Sequence, residues 1–115
     1  FLQSNYSMSY SVIATPLFKR EFKRLIKKHH SLAREFDLLI NSLEDDPQQG
    51  TSIGQHCFKI RLAIASKGKG KSGGARLITC VRVVETTVYL LTIFDKSEKE
   101  NIPDKELKQL IRLLP

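Results

Sequence analysis

The sequence predicts a small α+β domain of order β-α-α-β-β-β-α, an antiparallel sheet with an N-terminal helical hairpin and a C-terminal helix. Three observations predict it. Residues 16–29 and 31–43 carry apolar residues at helical spacing. Three segments between residues 57 and 95 show either strict alternation or the unbroken apolar runs of buried strands. Pro103 followed by Asp104 and Glu106 opens a last helical stripe. With 115 residues and 41% hydrophobic content, the chain suits one globular domain with a modest core and is too short for two.

Residues 1 to 7 (FLQSNYS) precede the only methionine, Met8, and are expected to be an expression remnant or a leader, so the domain is taken as residues 8 to 115. Tyr10 to Thr15 (YSVIAT) reads as a short strand. Thr15 is an acceptable N-cap and Pro16 suits the first helical position. Phe18, Phe22, Leu25, Ile26 and His29 then form one stripe, with Lys19, Arg20, Lys23, Arg24, Lys27 and Lys28 opposite. That basic side is either a solvated face or a second surface for phosphates. Ser31 is placed to cap a second helix whose stripe is Leu32, Phe36, Leu39, Ile40 and Leu43, ended by Glu44, Asp45, Asp46 and Pro47. A short turn between two such helices makes an antiparallel hairpin.

Gln48 to His56 reads as a polar loop. In the strand after it, Phe58, Ile60, Leu62 and Ile64 alternate with Lys59, Arg61, Ala63 and Ala65. Ala75 to Glu85 (ARLITCVRVVE) and Val88 to Asp95 (VYLLTIFD) are apolar on both sides and should be central, with helices on one face and something else on the other. Leu107, Leu110, Ile111 and Leu114 are the buried stripe of the last helix.

Charge is the strongest functional signal. The net charge is +7 and the pI near 9.6. From Pro47 to Val84 there is no acid, while Lys59, Arg61, Lys67, Lys69, Lys71, Arg76 and Arg82 all fall in that window. The natural partner of such a field is a polyanion. A solvated lysine loop would explain the loop cations but not those spread along the flanking strands. Gly70-Lys71-Ser72 resembles part of a phosphate-binding P-loop, yet Ala65 stands where that motif needs glycine, and a strand rather than a helix follows. Cys57 and Cys80 both lie in strand patterns and are expected to be buried, reduced thiols. His56 beside Cys57 leaves a tetrahedral metal site short of a ligand, so no metal or other cofactor is expected. No apolar run spans a membrane and the start lacks a signal-peptide pattern, so no membrane partner and a cytoplasmic location are expected.

KGKGKSGGARLIT in the middle of that element order and LLTIFDKSEKENIPDKEL near the end resemble the RelE/HigB-like toxins of bacterial type II toxin–antitoxin modules, over about Ser9 to Leu113. The resemblance implies a ribosome-dependent mRNA endoribonuclease (mRNA interferase), a hydrolase-type RNA-binding toxin whose partners are mRNA, the ribosome and a cognate antitoxin. It implies cleavage through the RNA 2′-hydroxyl without metal, which needs a base, an acid and positive charge for the pentacoordinate phosphate. The paired basic positions before the loop match Lys59 and Arg61, and the phosphate-binding arginine after the glycines matches Arg76. Lys59, Arg61 and Lys71 are candidates for proton transfer and phosphate positioning, a lysine among cations being able to titrate nearer neutrality. Lys67, Lys69 and Arg82 are expected to bind RNA, and Phe94 to stack on a base. Towards the C-terminus the match weakens: Phe94, Lys96, Ser97 and Glu98 occupy positions where relatives often place Tyr or Arg, and Thr79 and Cys80 stand where aromatics are frequent. Lys96 is the substitute general acid.

Two other functions share these features. ParE-like toxins inhibit DNA gyrase on the same fold, though binding alone does not need cations converging on one phosphate. A non-catalytic RNA- or ribosome-binding module would retain the charge and lose the chemistry.

Overall fold

A computed structural model describes residues 9–65 and 73–115. The elements are β1 (Ser11–Ala14), α1 (Pro16–Lys28), α2 (Ser31–Asp45), β2 (Thr51–Gly54), β3 (Cys57–Leu62), β4 (Ala75–Arg82), β5 (Thr87–Asp95) and α3 (Asp104–Arg112). The α+β class and every expected element are present, with one strand more. The sheet order is β1-β5-β4-β3-β2.

Two features of the sheet differ from expectation. The β2 to β5 ladders are antiparallel, but β1 pairs with β5 in parallel, Val12 beside Val88 and Ile13 beside Tyr89, so the sheet is mixed. The helical hairpin and three strands separate β1 from β5, so no tight turn forces the antiparallel sense. The second difference is β2, which lies within the supposed loop 48–56. Gln55 and His56 (φ 54° and 62°) make a two-residue hairpin turn in the left-handed region. TSIG has no apolar alternation and Gln-His is not a favoured sequence for that turn, so the pattern gave no signal. Gly50 (φ 97°) is required just before β2, because a Cβ there would crowd the Lys59 carbonyl.

The helix ends follow local chemistry in part. The Thr15 hydroxyl accepts from the Phe18 amide at 3.2 Å and donates to the Leu90 carbonyl at 2.9 Å, so the cap also anchors α1 to β5. Ser31 does not cap α2; His30 holds that position without a side-chain bond, and Ser31 Oγ instead accepts from the Ala65 amide at 3.2 Å. Pro103 is the N-cap of α3 rather than its first residue, with Asp104 and Glu106 in the first turn.

Both sheet faces are covered, as the two-sided apolar strands require. Phe18, Leu25, Leu32 and Leu43 of the hairpin meet Ile60, Leu62, Leu77, Val88, Leu90 and Ile93. Phe18 stacks on Phe22 and Phe36 with centroids 5.4 Å away in each case. On the other face α3 places Leu107 against Cys57, Ile78, Cys80, Tyr89, Leu91 and Phe94. A bulge reconciles the apolar run of β5 with these two cores: Ile78 pairs with Thr92 and Thr79 with Leu90, leaving Leu91 as an extra residue. The alternation changes phase there, so Ile93 faces the hairpin and Phe94 the opposite side.

Candidate active site

Period-two alternation sends Cys57, Lys59 and Arg61 of β3 to the face that α3 covers. Cys57 meets α3, whereas Lys59 and Arg61 lie further along the strand. On β4, Arg76 stands directly across from Arg61, and on β5 Phe94 stands across from Arg76. The chain then turns after Asp95, where the Lys96 amide donates to the Gly74 carbonyl at 3.1 Å and closes the end of the sheet.

These placements bring Lys59, Arg61, Arg76 and Lys96 together around an open depression of about 370 Å³, with Glu100 and Asn101 on its wall. Lys59 is half-buried, Arg61 and Lys96 are exposed, and Arg76 is only 3% exposed. One Arg76 guanidinium nitrogen donates to the Ala75 carbonyl at 3.1 Å. Burial pulls its pKa below the ordinary arginine value, and Arg61 adds to that; a guanidinium nonetheless stays charged at neutral pH. A buried, tethered cation with less buried cations around it is an arrangement that can receive a phosphate.

The loop bearing Lys96 is held from three sides. The Asp95 carboxylate, 1% exposed, accepts from the Ser97 amide and hydroxyl, each at 2.9 Å, and its other oxygen lies 3.3 Å from His29 Nε2 at the end of α1. Glu98 binds Arg24 at 3.0 Å and Lys28 at 3.4 Å. The hydrogen bond from Arg24 holds the Glu98 carboxyl below its ordinary range. Lys99 reaches Glu106 of α3 at 2.6 Å. The basic face of α1 is therefore exposed as expected, but Arg24 and Lys28 also serve as latches for this loop.

Other sequence candidates fall elsewhere. Lys67, Lys69 and Lys71 lie outside the described residues. Arg82 sits at the opposite end of β4 from Arg76, roughly 20 Å along the strand, 3.6 Å from Glu85 and over the Tyr89 ring at 5.9 Å. Phe94 is 5% exposed with Lys99 Nζ 5.5 Å from its ring centre, so a base could stack on it only after Lys99 moves away. Sequence reasoning missed Glu100 and Asn101, which it read only as part of a polar stretch, and missed Asp95 and His29 as the support of the Lys96 loop. The DKSE run carried that signal: an aspartate two residues before a serine favours a side-chain-capped turn. A second hollow of about 410 Å³, between β1 and the end of α3, is lined by Ile13, Leu17, Leu91, Leu110 and Leu114 among others. Its walls are mainly apolar and it lies apart from the cations.

Among known proteins, the family model described as the RelE toxin of the RelE/RelB toxin–antitoxin system matches residues 16–113. Two solved structures share the fold. One is an arginine-to-alanine double mutant of E. coli toxin RelE in the free state, with TM-score 0.60 and 17% identity, covering 93% of this chain and 100% of that one. The other is the isolated E. coli RelE toxin, with TM-score 0.56 and 16% identity, covering 92% of this chain and 100% of that one.

Proposed function

The chain belongs to the RelE toxin family, and from that premise we propose that it is a ribosome-dependent mRNA endoribonuclease, neutralised by a cognate antitoxin, that cleaves through the RNA 2′-hydroxyl. The convergence of Lys59, Arg61, Arg76 and Lys96 on one depression is the observation that carries this proposal. These cations come from two strands, β3 and β4, and from the loop after β5, and Arg76 is buried at the centre. Like charges repel, so gathering four cations at one depression is unfavourable in the free protein, and an anion bound there offsets that repulsion.

In this mechanism the scissile phosphate rests on Arg76 and Arg61. A base removes the 2′-hydroxyl proton as that oxygen attacks phosphorus, and Lys59 and the Glu100 carboxylate both lie within the depression. Negative charge grows on the pentacoordinate phosphate, where the two guanidinium groups stabilise it more than they stabilise the ground state. Lys96 gives its proton to the departing 5′-oxygen, leaving a 2′,3′-cyclic phosphate and a 5′-hydroxyl. All of these roles fall to the chain's own side chains.

The test is to incubate the purified protein with ribosomes stalled on a defined mRNA, map the cut ends and probe them for cyclic phosphate, beside Arg76→Ala. Cuts in the A-site codon should appear with the wild type and fall by about 100-fold or more in the variant, the scale of losing one transition-state contact. Absence of cuts while expression still arrests growth would overturn the nuclease assignment and favour gyrase inhibition. Ribosome binding without cuts would leave a non-catalytic binding module.

A further inference from the structure

Cys57 and Cys80 are direct partners on the β3–β4 ladder. The Val81 amide donates to the His56 carbonyl at 2.9 Å, which makes the cysteines a narrow, non-hydrogen-bonded pair. Cα atoms in such pairs lie about 4.5 Å apart, inside the span of about 4.4–6.8 Å that a disulfide bridges. Directly opposed residues share a face, so both thiols point beneath α3, where both are buried and free.

Their surroundings make the two thiols unequal. The Cys57 thiol, which donates to the Gln55 carbonyl at 3.5 Å, is pushed up by the neighbouring Cys80 and by burial. Cys80 is drawn down to about 6, first by the neighbouring Cys57 thiol and then by Arg82, with His56 adding to it. A thiolate beside a protonated thiol is the division of labour between an attacking and a resolving cysteine.

We propose that Cys57 and Cys80 form a redox pair that closes to an intramolecular disulfide when a small-molecule disulfide, such as oxidised glutathione, reaches the sheet face under α3. The Cys80 thiolate attacks one sulfur of the small disulfide, whose S–S bond breaks, and one thiolate leaves and takes up a proton. Cys57 then loses its proton as its sulfur attacks Cys80 Sγ, expelling the second small thiol. The protein thiols lose two electrons and two protons in all, and the small disulfide gains them as two thiols. Access depends on α3, a nine-residue helix with Leu107 as its buried residue. A helix this short is held only by its docking, so local opening uncovers the pair without global unfolding. In a reducing compartment the pair stays open. Closure ties β3 to β4 two residues before Lys59, on the face of the basic depression. The inference rests on ladder geometry and stands whether or not the protein cleaves RNA.

The experiment exposes the reduced, folded wild-type protein to oxidised glutathione at neutral pH, blocks remaining thiols by alkylation, and reads intact mass and peptide linkage. The expected product has lost two hydrogens and yields a Cys57–Cys80 linked peptide. Cys57→Ser should stop at a mixed disulfide on Cys80, and Cys80→Ser should react at least tenfold more slowly than Cys57→Ser. Circular dichroism of each serine variant establishes that it is folded. Thiols that stay free in excess oxidant, or a wild-type product that remains a glutathione adduct or links between chains, would overturn the proposal; the wild-type readout requires no variant.

Discussion

Arg61 and Arg76 face each other directly across the β3–β4 ladder, two guanidinium groups in a pairing position that favours opposite charges. The Arg61 charge helps pull the Arg76 pKa down. Such local conflict persists in a fold when function needs it, and the phosphate proposed to bind there would relieve it.

Replacing Arg61 by Gln should therefore stabilise the free protein by about 0.2–1 kcal/mol, the range of cross-strand pair effects, while reducing RNA cleavage. Urea unfolding and the stalled-ribosome assay check this. A lower unfolding midpoint in Arg61→Gln would mean that the pair is not in conflict.

Gly74 cannot carry a side chain. A Cβ there would collide with the Leu62 carbonyl, and the Gly74 carbonyl accepts from the Lys96 amide. Gly74→Ala should destabilise by about 3 kcal/mol, as overfilling of a rigid contact does, and lower cleavage by displacing both Arg76 and Lys96. Wild-type stability in the variant would refute the close approach of β3 and β4.

The Thr79 hydroxyl is fully buried and has no hydrogen-bond partner among the described residues. Thr79→Val keeps the shape and removes the unmet group, so it should raise stability by about 1 kcal/mol or more. A thermal melt decides the matter, and a fall in midpoint would imply a partner for that hydroxyl.

Glu98 joins the Lys96 loop to α1 through Arg24 and Lys28, all three partly exposed. Glu98→Gln should reduce stability by no more than about 1 kcal/mol, because solvent screens such pairs, yet slow cleavage by loosening Lys96. The Glu98 pKa is depressed, so its contribution is present above the unfolded-state pKa and fades as pH falls through the lower folded-state value. Cleavage rates unchanged in the variant would remove the latch from the mechanism.

The cysteine pair gives a stability slope of definite sign. Cys80 is depressed to about 6 in the folded chain against an ordinary value of about 8.5. Between those values the unfolded chain binds more protons at Cys80, so stability should rise with pH across that window and be lost as pH falls through about 6. Cys57, raised on folding, opposes this only where the unfolded thiol ionises, at about 8.5 and above. Under reducing conditions the urea midpoint should increase more from pH 6.5 to pH 8 in the wild type than in Cys80→Ser, roughly one window inside those limits; equal increases would contradict the thiolate at Cys80.

The sequence by itself determined the type of every element except β2, the burial of β4 and β5 on both faces, the Thr15-Pro16 helix start and the common face of Lys59 and Arg61. Each follows from short-range periodicity or from one residue's bonding capacity. It also marked the cation-rich window, though not which cations meet: Arg76 enters the site while Arg82, six residues on along the same strand, lies at its other end. Only the tertiary structure decided the pairing of Arg61 with Arg76, the opposition of Cys57 and Cys80, the parallel seat of β1, and the entry of Lys96, Glu100 and Asn101 into the depression. Register between strands depends on loop length, on the bulge at Leu91 and on both cores closing together, and none of these is written in the periodicity of any one segment.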